Sequence, residues 1–371
     1  MNQLARALFY NEKVACAVAT GVSVRVADDW ITDVGAAGRL AGGADERSVS
    51  SETWFDLASL TKPITALAAA RLVRARKLDL RAPLGSLVPE VRGTPSEAAR
   101  LELLLAHRAG LEAHLPLFRH LTRGKLARRR DVLVEAASAR RRDAAGAIAG
   151  DGFAPLYSDL GYLLAGEAIA RCAGNDLDAV MDEQVIAPLR AAIGSARRIR
   201  ARDASFADHV AATEVVAWRG GTIRGVVHDE NAWAYSGEGA SGHAGLFGTV
   251  GGVLVLAQAV VDVLQGRADW FLTRDELWPL VRPRPGGTLR AGFDGKSEHG
   301  SSAGVKFGPN TIGHLGFTGT SFWCDIERQV VGVVLTNSVH PQRDNQAIRR
   351  VRPRAYDWIA DRAAKLAATG H

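Results

Sequence analysis

The fold of this chain depends most on Trp54-Phe55-Asp56-Leu57-Ala58-Ser59-Leu60-Thr61-Lys62-Pro63-Ile64-Thr65, a stretch inside which a helix must begin. Residues 62–75 are rich in alanine and leucine and contain no glycine, which predicts a helix with Ser59 at its N-terminus. Ser59 and Lys62 are three residues apart, so both side chains lie on one face, one turn apart. A lysine amine can take the proton of a serine hydroxyl once its pKa is lowered. The free N–H groups of a helix N-terminus also favour an oxyanion nearby.

Taken alone, the Ser59–Lys62 spacing has a plain alternative explanation, a helix cap followed by a surface lysine. The spacing gains weight because lysine is rare in this chain. Ser59 is the only serine that is followed by a lysine at the third position.

Strands are predicted on both sides of a long helical segment. Mostly apolar, valine-containing runs at 14–19 and 22–26, separated by Thr20 and Gly21, predict a strand pair, and 53–57 predicts a third strand. After a loop rich in proline and glycine, three further strands are predicted at 314–318, 321–325 and 330–337. A final helix is predicted at 354–367.

Helical periodicity dominates the middle of the chain. The predicted helices there are 98–106, 130–139, 162–173, 177–185 and 250–264. We therefore expect an α/β (α+β) fold in which an antiparallel sheet flanked by helices is combined with an all-α lobe. The predicted division is 1–80 with 285–371 as the sheet domain and 81–284 as the mainly helical domain, with an active site in the crevice between them.

Composition and charge exclude several classes of protein. The chain has 371 residues, 47% of them hydrophobic, and a net charge of +6. Its arginine clusters are scattered and lack a common stripe with aromatic partners, so nucleic-acid binding is not predicted. Its cysteines, Cys16, Cys172 and Cys324, have no CxxC spacing, so neither a disulfide framework nor a thiolate metal site is indicated.

The N-terminus and the most apolar segment are the places where a targeting or membrane signal would lie. Residues 1–12 predict a short amphipathic helix and not a secretory signal, so we expect a cytoplasmic protein. Residues 250–264 are too short to span a bilayer and are interrupted by Gln258 and Asp262, so no membrane partner is expected.

Five motifs follow one another along the chain. They are Trp54 to Thr65, Leu103-Leu104-Leu105-Ala106-His107-Arg108-Ala109-Gly110-Leu111, Tyr157-Ser158-Asp159-Leu160-Gly161-Tyr162, Gly242-His243-Ala244-Gly245-Leu246-Phe247-Gly248-Thr249 and His314-Leu315-Gly316-Phe317-Thr318-Gly319-Thr320. In this order they resemble the motifs of the serine β-lactamase-related hydrolases, a family that includes class C β-lactamases and penicillin-binding-protein-like esterases. The resemblance implies the β-lactamase/transpeptidase-like fold.

Carried onto this chain, the resemblance makes Ser59 the acylated nucleophile, Lys62 its proton partner and Tyr157 the third catalytic residue. Lys62 and a second cation would lower the pKa of Tyr157, and lysine and tyrosine are best treated as a coupled pair. Asp159 stands where this motif often carries asparagine. Its carboxylate would raise the pKa of Lys62 unless it is turned away. Ser158-Asp159 can also be aligned with an SDN motif, but Leu160 replaces its asparagine, and the tyrosine alignment is preferred.

The final motif departs from the family at its first residue. His314 takes the place of the lysine of KTG. Because a histidine is charged only when it is protonated, strong binding of a β-lactam carboxylate is not favoured. Gly316 lets the strand backbone approach closely. The N–H of Phe317 is predicted to be the second oxyanion donor beside that of Ser59.

Residues 227–232, which include His228, could be combined with His243 into a metal site. We do not favour this because adjacent residues cannot all face one ion. His228 and His243 are instead predicted to support the catalytic residues, and no metal or cofactor is expected.

The resemblance implies an enzyme that cleaves a small-molecule ester or amide through an acyl-Ser59 intermediate. A carboxylesterase is favoured over a β-lactamase, a D-Ala-D-Ala carboxypeptidase or a D-aminopeptidase, because His314 replaces lysine and no signal peptide is seen. An acyltransferase and a non-catalytic ligand-binding protein remain alternatives. The sequence does not specify the natural substrate or whether the chain is a monomer or a homo-oligomer.

Overall fold

The first and last segments of the chain meet in one sheet. The computed structural model describes residues 1–42, 47–123 and 128–369. Its strands are β1 (Ala17–Val26), β2 (Asp29–Gly38), β3 (Phe55–Asp56), β4 (Ile193–Ser195), β5 (Val215–Val216), β6 (Gly221–Thr222), β7 (Leu246–Gly248), β8 (Asp294–Gly295), β9 (Ile312–Leu315), β10 (Ser321–Asp325) and β11 (Val330–Thr336). Its α-helices are α1 (Asn2–Arg6), α2 (Thr61–Arg74), α3 (Leu84–Leu87), α4 (Leu101–Leu105), α5 (Arg129–Ser138), α6 (Asp159–Ala173), α7 (Leu177–Met181), α8 (Ala187–Leu189), α9 (Ala196–Arg202), α10 (Glu230–Ser236), α11 (Val250–Leu264), α12 (Arg274–Val281) and α13 (Ala347–Thr369).

The main sheet runs in the order β2-β1-β11-β10-β9-β8, and each neighbouring pair is antiparallel. Thr20 of β1 is paired with Val334 of β11, and Phe322 of β10 with His314 of β9. This register confirms the predicted antiparallel sheet that joins both ends of the chain. It also places His314, the first residue of the HxG motif, on β9, next to the edge strand β8.

The N-terminal strand pair was predicted wrongly. Residues 14–19 and 22–26 do not form two strands, because β1 continues without a break through Thr20 and Gly21 and pairs with β2, a strand that the sequence analysis missed. Gly21 marks a close helix contact and not a turn. A Cβ built on it would lie 2.7 Å from Leu254 Cδ1, since α11 packs directly on the strand.

The third predicted strand, 53–57, is shorter than expected and lies outside the main sheet. It corresponds to β3, which belongs to a small sheet with the order β3-β7-β4. Because β4 to β7 all lie within 81–284, that segment is mainly but not entirely helical, and the expectation of an all-α lobe is corrected to this extent.

Helices cover both faces of the main sheet, which confirms the α/β (α+β) class. On one face, α1 and α13 enclose a core that includes Leu8, Val22, Trp323 and Ile359. The core on the opposite face is continuous from the sheet through α11 into the helical segment. The division into 1–80 with 285–371 and 81–284 stays a prediction, although α11 packs against the sheet strands.

Helix α2 gives the site a rigid support. The prediction of 62–75 matches its observed span closely, and residues 61–70 of this helix are all buried. The final helix is longer than the predicted 354–367, since α13 begins at Ala347. Within the described residues, no helix combines the length and the apolar character needed to cross a bilayer.

Candidate active site

Ser59 lies in a short 3-10 turn, Ala58–Leu60, that leads into α2. Ala58 adopts a φ of 47°, in the left-handed region that residues other than glycine rarely occupy. Its N–H donates a 2.8 Å hydrogen bond to Asp56 Oδ1. Asp56 therefore fixes the backbone immediately before the candidate nucleophile.

Asp56 joins three segments around Ser59. Its Oδ2 accepts a 2.8 Å hydrogen bond from the His228 N–H, and its carbonyl oxygen accepts one of 2.7 Å from Thr318 Oγ1. Burial raises the pKa of Asp56, although His228 and the two backbone N–H donors act in the opposite direction. No role was predicted for Asp56 from the sequence, although a carboxylate among the mostly apolar residues before the serine was a signal for one.

Lys62 is fully buried beneath Ser59. Its ammonium donates hydrogen bonds of 2.8 Å to Ser59 Oγ, 2.7 Å to Asp159 Oδ1 and 3.2 Å to the His243 carbonyl oxygen. Burial acts to lower the pKa of Lys62, but Asp159 and then Tyr157 outweigh it, and the pKa is raised. Asp159 is thus turned toward Lys62, and it stabilises the cationic form.

Tyr157 lies between Lys62 and two imidazoles. The Lys62 ammonium is 4.7 Å from the centre of its ring, and the ring stacks on His107 at 4.6 Å. Burial raises the pKa of the Tyr157 phenol, while the positive charge of Lys62 acts to lower it. The expected lowering of this pKa is therefore not what the structure gives, and neutral phenol is the resting form.

His107 supports Tyr157 from below. Its Nδ1 accepts a 3.0 Å hydrogen bond from the Ser158 N–H, so the proton of the neutral ring lies on Nε2. Burial, followed by the charge of Lys62, holds the pKa of His107 well below its usual value. Sequence reasoning assigned His107 no chemical role, although it lies in the second matching motif.

His314 is also buried and uncharged. Its Nδ1 donates a 2.8 Å hydrogen bond to the Leu315 carbonyl oxygen, which leaves Nε2 as an acceptor. Burial, reinforced by Lys62, lowers the pKa of His314 to about 3. Neither imidazole next to Tyr157 supplies the second cation that the sequence analysis placed there. The centres of the His314 and Tyr157 rings are 6.0 Å apart.

The turn after β9 is tied to the segment that precedes Ser59. Thr320 Oγ1 donates a 3.1 Å hydrogen bond to the Leu57 carbonyl oxygen, beside the bond from Thr318 to Asp56. A Cβ on Gly316 would lie 2.0 Å from Thr320 Oγ1 and 2.6 Å from the Leu57 oxygen. Only glycine fits at position 316, because the two segments approach so closely.

Two backbone donors are available where the sequence analysis expects an oxyanion hole. Among the turn and loop hydrogen bonds of the described residues, the Phe317 N–H has no backbone acceptor. The Phe317 side chain is exposed, and its ring stacks on His228 at 5.8 Å. The assignment of Ser59 and Phe317 as oxyanion donors stays a prediction.

His228 and His243 pair with carboxylates near the site. His228 Nε2 lies 3.0 Å from Glu214 Oε2, and His243 Nε2 lies 3.0 Å from Asp229 Oδ1. Burial would raise the pKa of Asp229, but His243 outweighs it and holds that pKa well below its usual value. Over the described ranges, no three His, Cys, Asp or Glu side chains are grouped to hold a metal ion. His228 contacts Asp56 through its N–H, and His243 contacts Lys62 through its carbonyl oxygen, but their supporting role stays a prediction.

An open cavity of about 880 Å³ gives access to these groups. Its lining includes Ser59, Tyr157, Asp159, His314 and Phe317. The structure thus brings together the predicted catalytic and binding residues. A hydroxyl hydrogen-bonded to a buried amine, at the beginning of a helix, is suited to acyl transfer through a covalent serine ester.

The chain is similar to several known proteins. The sequence model of the Beta-lactamase family matches residues 11–356. An N-acetylmuramyl-L-alanine amidase of Bacillus subtilis (strain 168) is 29% identical over 316 residues, which cover 79% of this chain and 69% of that protein. A putative D-alanyl-D-alanine carboxypeptidase of Salmonella agona (strain SL483) is 27% identical over 343 residues, 84% of this chain and 77% of that protein. A class C beta lactamase structure from Rhodobacter sphaeroides has a TM-score of 0.68 at 16% identity and covers 98% of this chain and 100% of that one.

Proposed function

Because the chain belongs to the beta-lactamase family, whose members are serine hydrolases, we propose that it cleaves an ester or amide bond of a small molecule through an acyl-Ser59 intermediate. The observation that carries this proposal is the 2.8 Å hydrogen bond between Lys62 Nζ and Ser59 Oγ at the floor of an open cavity. A buried amine in contact with the serine hydroxyl is the arrangement that nucleophilic activation requires.

In the proposed acylation, Ser59 Oγ attacks the carbonyl carbon of the substrate and its proton passes to the coupled Lys62–Tyr157 pair. The N–H groups of Ser59 and Phe317 bind the oxyanion. The bond to the leaving group then breaks, and the pair returns the proton to the leaving oxygen or nitrogen. Water completes the cycle by attacking the acyl carbon while the pair accepts its proton, which is then returned to Ser59 Oγ.

This cycle starts from an unfavourable protonation state. Asp159 stabilises the Lys62 cation and burial stabilises the neutral Tyr157 phenol, so the pair must first lose a proton before it can act as a base. The active fraction of the enzyme is therefore expected to increase with pH.

Carboxylesterase activity is the form of this proposal that we favour. The leaving group of an ester departs more readily than that of an amide. In addition, His314 is uncharged, so β9 provides no fixed cation for the carboxylate of a β-lactam. Amide cleavage is the second candidate, since the two curated relatives are named as an amidase and a putative carboxypeptidase. Transfer of the acyl group to an alcohol or amine would use the same acylation step. The cytoplasmic location stays a prediction.

The test is turnover of p-nitrophenyl esters of increasing acyl length by the purified protein and by Ser59→Ala. Wild type is expected to hydrolyse at least the short esters, and the variant to lose this activity. Nitrocefin and D-alanyl-D-alanine peptides are assayed in parallel. A folded wild-type protein that turns over peptide but no ester would replace the esterase assignment with amide cleavage.

A further inference from the structure

His228 joins the two segments that carry the expected oxyanion donors, the turn before α2 and the turn after β9. Its N–H donates a 2.8 Å hydrogen bond to Asp56 Oδ2, and Asp56 Oδ1 accepts one of 2.8 Å from Ala58, the residue before Ser59. Its imidazole stacks on the ring of Phe317, with 5.8 Å between the ring centres and 19° between the planes. One residue therefore contacts both sides of the expected oxyanion hole.

The far side of the His228 ring is held by a carboxylate. Its Nε2 lies 3.0 Å from Glu214 Oε2, and both residues are buried. Arg343 Nε donates a 2.8 Å hydrogen bond to the same Oε2, and the Arg343 guanidinium also lies 2.6 Å from Glu230 Oε1. Burial would raise the pKa of Glu214, but hydrogen bonds with His228 and Arg343 outweigh it and lower that pKa to about 2. The carboxylate therefore stays ionised at neutral pH and keeps both partners.

The same arginine contacts the Phe317 ring. The Phe317 side chain is 53% exposed, so hydrophobic burial alone does not fix it. The guanidinium carbon of Arg343 lies 5.7 Å from the centre of this ring, within the range of a cation–π contact. His228 and Arg343 thus hold a ring that is otherwise half in solvent.

The direction of the Phe317 N–H depends on how that ring is held. The backbone on either side is fixed separately, since the Gly316 N–H donates to the Thr320 carbonyl oxygen at 2.8 Å and the Ser338 N–H donates to the Thr318 carbonyl oxygen at 2.9 Å. Side-chain rotamer and backbone φ are coupled, so a ring held in one place restricts the peptide plane that carries the N–H.

We propose that Arg343 and Glu214 are positioning residues for the oxyanion hole. By holding His228 and the Phe317 ring, they keep the Phe317 N–H directed at the substrate carbonyl oxygen. This proposal rests on the proposed function, because it assigns a role within that reaction. A donor stabilises an oxyanion best when it does not have to reorient as the charge develops. Loosening the network should therefore slow acyl transfer more than it weakens binding of the uncharged ester.

Arg343→Gln and Phe317→Leu test the proposal with p-nitrophenyl butyrate. Each is expected to lower kcat by about tenfold, a part of the about 10²- to 10³-fold that one oxyanion donor contributes. Acylation and deacylation use the same oxyanion hole, so both rates fall together and KM should stay within about twofold of wild type. Phe317→Tyr keeps the ring and should retain most of the activity, and Arg343→Lys keeps the charge and should retain part of it.

A boronic acid reports on the oxyanion hole without turnover. Ser59 Oγ bonds to the boron of phenylboronic acid while its proton passes to the Lys62–Tyr157 pair, and the tetrahedral anion that results resembles the transition state. The Ki of this inhibitor is expected to rise by about tenfold in Arg343→Gln and in Phe317→Leu, in step with the fall in kcat.

The double variant Arg343→Gln/Phe317→Leu separates positioning from a general loss of stability. If Arg343 acts through the ring, the second substitution adds little, and kcat should stay within about threefold of either single variant. Arg171→Gln is the matched control, because Arg171 is also partly exposed and also pairs with two carboxylates, Glu90 and Glu167. It is expected to keep the kcat and Ki of wild type even where its urea unfolding shows lower stability.

Wild-type kcat and Ki in folded Arg343→Gln, or single effects that multiply to about a hundredfold in the double variant, would overturn the proposal. If Arg343→Gln fails to fold, Arg343→Lys and Phe317→Leu decide by the same two measurements. Failure of the proposed function gives a different result. If folded wild type hydrolyses no ester and Ser59 takes no fluorophosphonate label, that function itself is wrong, and the positioning role is withdrawn with it.

Discussion

Asp159 Oδ1 lies 2.7 Å from the ammonium of Lys62, closer than the 2.8 Å that separates this ammonium from Ser59 Oγ. The lysine that should take the serine proton is thus held in its cationic form by a carboxylate. We expect the Asp159–Lys62 ion pair to govern how the site responds to pH. The ion pair exists because an aspartate stands where related motifs often carry asparagine.

Asp159→Asn is expected to move the pH dependence of catalysis. Asp159 raises the pKa of Lys62, so removing its charge lowers that pKa and lets the Lys62–Tyr157 pair lose its proton at lower pH. The ascending limb of kcat/KM against pH, measured with p-nitrophenyl butyrate, should shift toward acid. Asp208→Asn, which alters an exposed carboxylate near Arg47, is the control. An unshifted limb in Asp159→Asn would mean that the Lys62 proton does not limit the reaction.

Tyr157→Phe tests whether the phenol carries protons. General acid–base catalysis is worth about 10²- to 10⁴-fold, and kcat for ester hydrolysis is expected to fall by roughly this factor. Tyr162→Phe is the matched control, because Tyr162 also lies against His107 but donates its hydroxyl proton to the Leu105 carbonyl oxygen. Its kcat should stay within a few-fold of wild type. Near-normal rates in Tyr157→Phe would assign the base to Lys62 alone.

His314→Gln is expected to reduce the loss of unfolding free energy that wild type shows when the pH is lowered from 8 to 5. The folded pKa of His314 is about 3, below the roughly 6.5 of an unfolded histidine, so folding releases a proton from this group. The contribution of neutral His314 to the free energy of unfolding is complete above pH 6.5. It is lost as the pH falls from there toward 3, and the loss is on the order of a few kcal/mol. Urea unfolding at pH 8 and pH 5 measures the difference.

The control for this change is His299→Gln, since the His299 side chain is 93% exposed. Wild type and His299→Gln should lose similar stability between pH 8 and pH 5, and His314→Gln should lose less. A His314 variant with the wild-type slope would show that the imidazole is solvated in the folded protein.

Gly316→Ala is expected to disturb the oxyanion hole. A Cβ at this position would press on Thr320 Oγ1 and on the Leu57 carbonyl oxygen, which moves the Phe317 N–H away from Ser59. The loss of one oxyanion donor typically costs about 10²- to 10³-fold in kcat, and a fall in this range is predicted. Gly251→Ala is the control, because the nearest atom to its added Cβ is Thr249 Oγ1 at 3.9 Å. Equal kcat in both variants would remove Phe317 from the mechanism.

The residues of the site could largely be predicted from local sequence, but their charge states could not. The spacing of Ser59 and Lys62 on a helix and the order of the motifs are local features, and the structure brings these residues together. Whether Asp159 faces Lys62, and whether His314 is charged, depends on burial and on contacts between distant segments. The direction of the Tyr157 pKa was misjudged for the same reason.

The same distinction applies to the fold. Helix α2 follows from composition within one segment, and its predicted bounds are accurate to about one residue. Strand β1 was split in error because Gly21 resembles a turn signal, whereas it accommodates Leu254 from a helix more than 200 residues away.

The most direct test of the central claim is the mass of the intact protein after incubation with a fluorophosphonate probe, with Ser59→Ala treated in parallel. We predict that wild type gains the mass of one phosphonyl group, that peptide mapping places this group on Ser59, and that the variant gains none. A folded wild-type protein that stays unlabelled, or a label that persists in Ser59→Ala, would contradict an acyl-Ser59 mechanism.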